Sequence, residues 1–300
     1  MNYLRVLVMH YGGVSMSMKF MSVMDSEAQA DFCRSLLDVD REAATQLGRE
    51  TVAWVEAGFY EVDSERIAIP DQRSRALSIP QDEVLLAVDP YPEQLTLVEV
   101  ANEPSLATAF RLHEQGRSPL VLNMANGVSP GGGFLHGSRA QEEYLCRISG
   151  LYESIRDNPM YAYHCGLDHY ESSDWMIVSP NVLVIRNDAG VPLRTPWTCS
   201  FISSAAPVAQ RVGVDQSADI MVRRIDRLLH VAAVEGFTSL VLGAWGCGAF
   251  GNDPERTAKA FADSLTGRFD GVFEYVAFAI TDWSPERRFL QPFVEAFNRA

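Results

Sequence analysis

Glu142 and Glu143 stand side by side at the head of a helix-compatible run, with seven residues separating Gln141 from the Gly131-Gly132-Gly133 triplet. Carboxylates serve as general acids and bases. A glycine run brings backbone N–H groups up to a ligand with no Cβ atoms in the way. The combination points to acid/base chemistry on something bound through phosphate or sugar oxygens. Neighbouring helix residues project about 100° apart, so the two side chains are not expected to share one face. A retaining glycosidase instead needs carboxyls about 5 Å apart across the scissile bond. The expected division is therefore one acid/base and one carboxylate holding substrate hydroxyls. The blander reading, two acids favouring a helix dipole, loses ground because the glycine loop lies immediately upstream.

A second glycine-rich loop runs from Gly243 to Pro254, again between a buried-strand pattern and a helix that Asp253 and Pro254 should start. Its N–H groups suit a diphosphate. Gly246, Gly248 and Gly251 spell the dinucleotide fingerprint, but the loop lies too near the C-terminus for a doubly wound fold. Cys247 has no His partner in sequence, so a small buried residue is favoured over a nucleophile. Phe250, inside the loop, is less natural as a packing residue. His164, Cys165 and His169 match no usual zinc spacing. Trp245, Trp283, Tyr161, Tyr163 and Tyr170 read as packing residues.

The elements that must position these loops alternate between helix and strand. Helices are expected over Arg41–Ala57, Pro104–Glu114, Ala140–Ile155, Ser217–Val234, Asp253–Leu265 and Pro285–Phe297. Strands are expected at Val84–Val88, Leu95–Val100, Leu120–Met124, Met176–Pro180, Val182–Ile185, Thr198–Ser203, Leu240–Leu242 and Val272–Ile280, with a turn over Asp89–Pro92. The segment Asp157–Asp174 reads as an irregular loop. Such alternation predicts one α/β domain: a mixed or largely parallel sheet covered on both faces. Residues 1–40, crowded with Met9, Met16, Met18, Met21 and Met24, are set apart as an extension without assigned role; 41–300 form the domain.

At 300 residues and 47% hydrophobic content the chain can bury a full core. No apolar run reaches the roughly 18–20 residues of a membrane span. A net charge of −14 excludes general tracking of nucleic-acid backbone. Five scattered cysteines without a Cys-x-x-Cys fit a reducing compartment, and cytoplasm is expected.

The glycine triplet followed by Gln141-Glu142-Glu143 resembles the signature of microbial-type poly(ADP-ribose) glycohydrolases, and the resemblance extends from about Arg41 through the Ala205-Ala206-Pro207 stretch and the second loop to the last helix. It implies a compact macrodomain-like three-layer α/β/α fold and hydrolysis of ribose–ribose O-glycosidic bonds, releasing ADP-ribose from chain ends. Glu143 would be the acid/base and Glu142 would hold ribose hydroxyls. Gly131, Gly132 and Gly133 would approach the distal ribose and diphosphate, with Gln141 beside them. Gly246, Cys247, Gly248, Ala249 and Phe250 would wrap the diphosphate, and Asn126 would lie near the distal ribose. Neither metal nor cofactor is implied; the partner is poly(ADP-ribose) or an ADP-ribosylated macromolecule. The alternatives are an ADP-ribose reader without turnover, and a hydrolase removing ADP-ribose from DNA or protein side chains.

Overall fold

The computed structural model describes residues 18–73, 75–88, 94–167 and 170–298. The turn at Asp89–Pro92, Met9, Met16 and His169 lie outside the described residues. The strands are β1 (Met18–Met24), β2 (Phe59–Val62), β3 (Glu65–Ala68), β4 (Leu77–Ile79), β5 (Thr96–Ala101), β6 (Leu120–Ala125), β7 (Met176–Arg186), β8 (Pro192–Ala205), β9 (Ser239–Leu242) and β10 (Tyr275–Ala279). The helices are α1 (Glu27–Leu37), α2 (Arg41–Ala57), α3 (Ser105–Glu114), α4 (Gln141–Ile148), α5 (Leu151–Ile155), α6 (Pro159–Cys165), α7 (Ala209–Val212), α8 (Val214–Val234), α9 (Pro254–Thr266) and α10 (Gln291–Asn298).

Eight strands form one mixed sheet in the order β1-β5-β10-β9-β6-β8-β7-β4. The run from β1 to β8 is parallel, and β7 and β4 add antiparallel strands at one side. Period-2 alternation divides the core between the two faces. Leu120, Leu122, Leu240, Leu242, Val276 and Phe278 pack with α8, α9 and α10. Val121, Val241 and Ala277 point the other way, onto α3, α4, α5 and α6. The result is the expected three-layer, macrodomain-like α/β domain. The parallel strands end together, so the turns after β5, β6, β8, β9 and β10 gather along one edge, where α/β sheets bind ligands.

Several elements depart from the sequence expectation. Val84–Val88 is not a strand: its apolar run finds no ladder partner, and Val84 is 91% exposed while Leu85 and Val88 lean on the core. The helix expected over Ala140–Ile155 breaks at Ser149-Gly150, because Ser149 bridges to Val184 and Gly150 N–H donates to Leu183 O at 2.9 Å. Met176–Ile185 is one strand with a bulge, not two, with Asn181 at φ 53° where the register shifts. The segment expected to be irregular contains α6, started by an Asn158 cap with Pro159 behind it. The β2–β3 hairpin and β4 are strands of four, four and three residues, too short to carry a periodic pattern in the sequence. Within the N-terminal segment set apart as an extension, β1 pairs in parallel with β5 and α1 follows it.

Candidate active site

The first loop leaves β6 at Ala125. Asn126 Oδ1 accepts the N–H groups of Val128 (3.0 Å) and Ser129 (2.9 Å), so this side chain shapes the turn that leads to the glycines. Gly131 and Gly132 have φ of 71° and 56°, a region that side chains rarely adopt. A Cβ on Gly132 would sit 2.3 Å from Glu143 Oε1 and 3.3 Å from Glu142 Oε2. Both carboxylates therefore converge on one glycine, contrary to the expectation that helix geometry keeps them apart. Two long side chains in the first turn of α4 curl back to the same loop, and a Cβ there would displace them.

The pair is held asymmetrically. Glu142, 3% exposed, has both oxygens engaged: Oε2 accepts Asn126 N–H at 2.7 Å, and Oε1 accepts Gly131 N–H at 3.2 Å and Asn123 Nδ2 at 3.4 Å. Burial pushes its carboxyl up to about 8 against these hydrogen bonds, and the charge of Glu143 adds to the rise. Glu143, 8% exposed, accepts Gly133 N–H at 3.0 Å on Oε1 only. Its Oε2 is buried and has no hydrogen-bond partner among the described residues. Gln141 fastens α4 to β6: Oε1 accepts Met124 N–H at 2.9 Å, and Nε2 donates to Leu122 O at 2.7 Å and Ser105 Oγ at 3.2 Å. Its amide is thus engaged by the protein, although the residue also lines the cleft.

The second loop leaves β9 at Leu242 and is pinned by Asn252, whose role depends on partners distant in the sequence. Asn252 N–H donates to Gly246 O at 3.0 Å, Nδ2 donates to Pro207 O at 2.8 Å, and Oδ1 accepts Ser217 Oγ at 2.5 Å. Gly246, at φ 75°, leaves the space that Asn252 Nδ2 and Ala206 fill. Cys247 turns inward: it is buried, its Sγ donates to Trp245 O at 3.6 Å, and burial pushes its thiol up to about 12. Its N–H is also engaged, donating to Ala244 O at 3.1 Å. Gly248 has open space around it, and Phe250 both lines the cleft and packs on the core.

A cleft of about 620 Å³ opens beside these loops, lined by Gln141 and Tyr144 of α4, Gly246 and Phe250 of the second loop, and Trp283 and Phe289 of the C-terminal segment. Trp283 is 47% exposed in its wall, a difference from the packing role expected. Tyr163 and Tyr170 are also exposed, Tyr170 under the Arg211 guanidinium, whereas Tyr161 and Trp245 are buried. The N-terminal segment supplies a further wall through Arg34, Leu37 and Asp38. That wall is tied to the C-terminal segment by Arg287, which bonds Asp25 at 2.9 Å and Glu27 at 3.1 Å. No spacing signal marked α1 as part of the cleft, because its contribution is spatial. His164 is spent on structure: Nδ1 donates to Gly127 O (2.8 Å) and Nε2 accepts Ser173 N–H (3.0 Å). Among the described residues no cluster of His, Cys, Asp and Glu could hold a metal ion.

Comparison with known proteins decides the family. The family model described as microbial-type PARG, catalytic domain, matches residues 48–187. The crystal structure of poly(ADP-ribose) glycohydrolase from Thermomonospora curvata is 36% identical, with a TM-score of 0.80, covering 85% of this chain and 100% of that one. The chain belongs to the microbial-type poly(ADP-ribose) glycohydrolase family. The same Thermomonospora protein bound to the inhibitor ADP-HPD matches at 35% identity and a TM-score of 0.77, covering 85% of this chain and 99% of that one. The Deinococcus radiodurans enzyme in complex with ADP-ribose matches at 32% identity and a TM-score of 0.65, over 87% and 93% of the two chains. A comparison with curated proteins found no match.

Proposed function

We propose that this chain hydrolyses the ribose–ribose O-glycosidic bonds of poly(ADP-ribose) and releases ADP-ribose, with Glu143 as acid/base. Family membership supports the reaction class. The assignment of Glu143 rests on one observation: of two carboxylates converging on Gly132, only Glu143 keeps a buried oxygen free of hydrogen bonds. A group that moves a proton needs an unoccupied oxygen, whereas one whose oxygens are both engaged is suited to holding. Glu143 protonates the leaving ribose oxygen and then activates water at the anomeric carbon. Glu142, its oxygens fixed by Asn126, Gly131 and Asn123, is held in place to accept a ribose hydroxyl. The N–H groups of Gly248, Ala249 and Phe250 in the second loop take the diphosphate without a basic groove, while those of Gly131–Gly133 are spent on the two glutamates and Ser129 O. Incubation with poly(ADP-ribose) tests the reading: free ADP-ribose from the earliest times is expected, as release from chain ends requires. Tight binding without release would instead mark a reader. Release only from ADP-ribosylated DNA or side chains would move the activity to those substrates.

A further inference from the structure

Arg147 belongs to no loop of the site, yet it is 3% exposed and lies four residues after Glu143 on α4, about 6 Å further along the same helix face. Burying a guanidinium is costly unless its position is used. Here Nη1 donates to Ser138 O at 2.8 Å. Ser138 N–H donates to Gly133 O at 3.1 Å, and Gly133 N–H donates to Glu143 Oε1 at 3.0 Å. Arg147 thus closes a ring of hydrogen bonds that begins and ends on one helix face: guanidinium, Ser138, Gly133, Glu143. Its own carbonyl accepts Thr51 Oγ1 at 2.6 Å, which ties this turn of α4 to α2.

We propose that Arg147 is a positioning residue for Glu143: through Ser138 and Gly133 it fixes which Glu143 oxygen is engaged and which is free to move the proton. The proposal rests on the acid/base reading of Glu143 and adds a residue that touches no substrate. Loss of the guanidinium releases Ser138 O, the 133–138 turn relaxes, and Oε1 loses its fixed donor. The cost falls on chemistry, because among the described residues the second loop makes no hydrogen bond to any member of this ring.

The test compares the parent with Arg147→Gln and Arg147→Lys, measuring poly(ADP-ribose) hydrolysis per ADP-ribose-binding site counted by calorimetry. Arg147→Gln is expected to lower kcat by at least about tenfold, since small misplacements of reacting groups cost up to about 10²-fold, with KM and ADP-ribose affinity within about threefold. Arg147→Lys, which keeps a cation within reach of Ser138 O and retains more of the fold, should recover part of that loss. Parent kcat per binding site in both variants, or a loss confined to KM, overturns the proposal. Should Gln not fold, a parent-like kcat in the Lys variant together with parent-like kcat in Arg147→Met would do the same. A parent protein that binds ADP-ribose but releases none counts against the enzymatic reading itself, a result these variants cannot produce.

Discussion

At the scale of the residue, the two glutamates carry separable expectations. General acid/base groups contribute typically about 10²–10⁴-fold to rate. Glu143→Gln should lose turnover on that scale while binding ADP-ribose nearly as well as the parent; undiminished hydrolysis would remove Glu143 from the chemistry. Glu142 makes a prediction about stability. Its carboxyl rises from an ordinary 4.5 to about 8 in the fold, so the folded state holds the proton more tightly than the unfolded chain. The associated stability is fully present below pH 4.5 and is lost as the pH climbs through about 8. The slope is at most roughly 1.4 kcal/mol per pH unit in that window. Urea melts of parent and Glu142→Gln at pH 5, 6.5 and 8 should show the variant with the flatter dependence; parallel curves would contradict it.

At the scale of the element, the site is two strand–loop–helix units whose loops are held by side-chain amides, half-buried Asn126 in the first and buried Asn252 in the second. Asn252 anchors the second loop to α8 through Ser217 and to the turn after β8 through Pro207 O. Removing one such buried partner leaves several groups unsatisfied, at about 1–3 kcal/mol each. Asn252→Ala should therefore lower the urea midpoint and weaken ADP-ribose binding together, because the unpinned loop loses the geometry that Gly246 needs. Unchanged affinity in a destabilised variant would show that the loop keeps its shape without the clamp. Most elements were legible because their signals are local: α2 spans Arg41–Ala57, and Asp253 with Pro254 starts α9, both as expected. The misses were elements defined by partners elsewhere. The Val84–Val88 run has strand composition without a strand to pair with, and Ser149 breaks α4 only because Val184 lies opposite.

At the scale of the molecule, a chain of net charge −14 is expected to act on a polyanion. A basic groove would bind through counterion release and weaken steeply with salt. Recognition by backbone N–H groups in a negatively charged protein works against long-range repulsion, which salt screens. The KM for poly(ADP-ribose) is therefore expected to stay flat or fall between 50 and 200 mM salt, a range chosen to be roughly where basic binders lose about 10³–10⁵ in affinity. A steep rise would reveal a cationic surface that matters. The molecule also makes α1 part of the cleft. Residues read as an extension add a sheet strand at β1 and place Arg34, Leu37 and Asp38 in the wall, fastened by Arg287 to the chain's other end.

What the sequence determined by itself was the chemistry-bearing set and the layers around it. Glycines followed by Gln141-Glu142-Glu143, a second glycine loop, and alternating helix and strand patterns are local facts, written in neighbouring residues. Only the tertiary structure decided how the glutamates differ. Their sequence positions are nearly equivalent, and their surroundings differ because Asn126 and Gly131 engage both oxygens of one while Gly133 engages a single oxygen of the other. Hydrogen-bond partners converge from loop and strand, and a chain read residue by residue carries no record of which groups will meet.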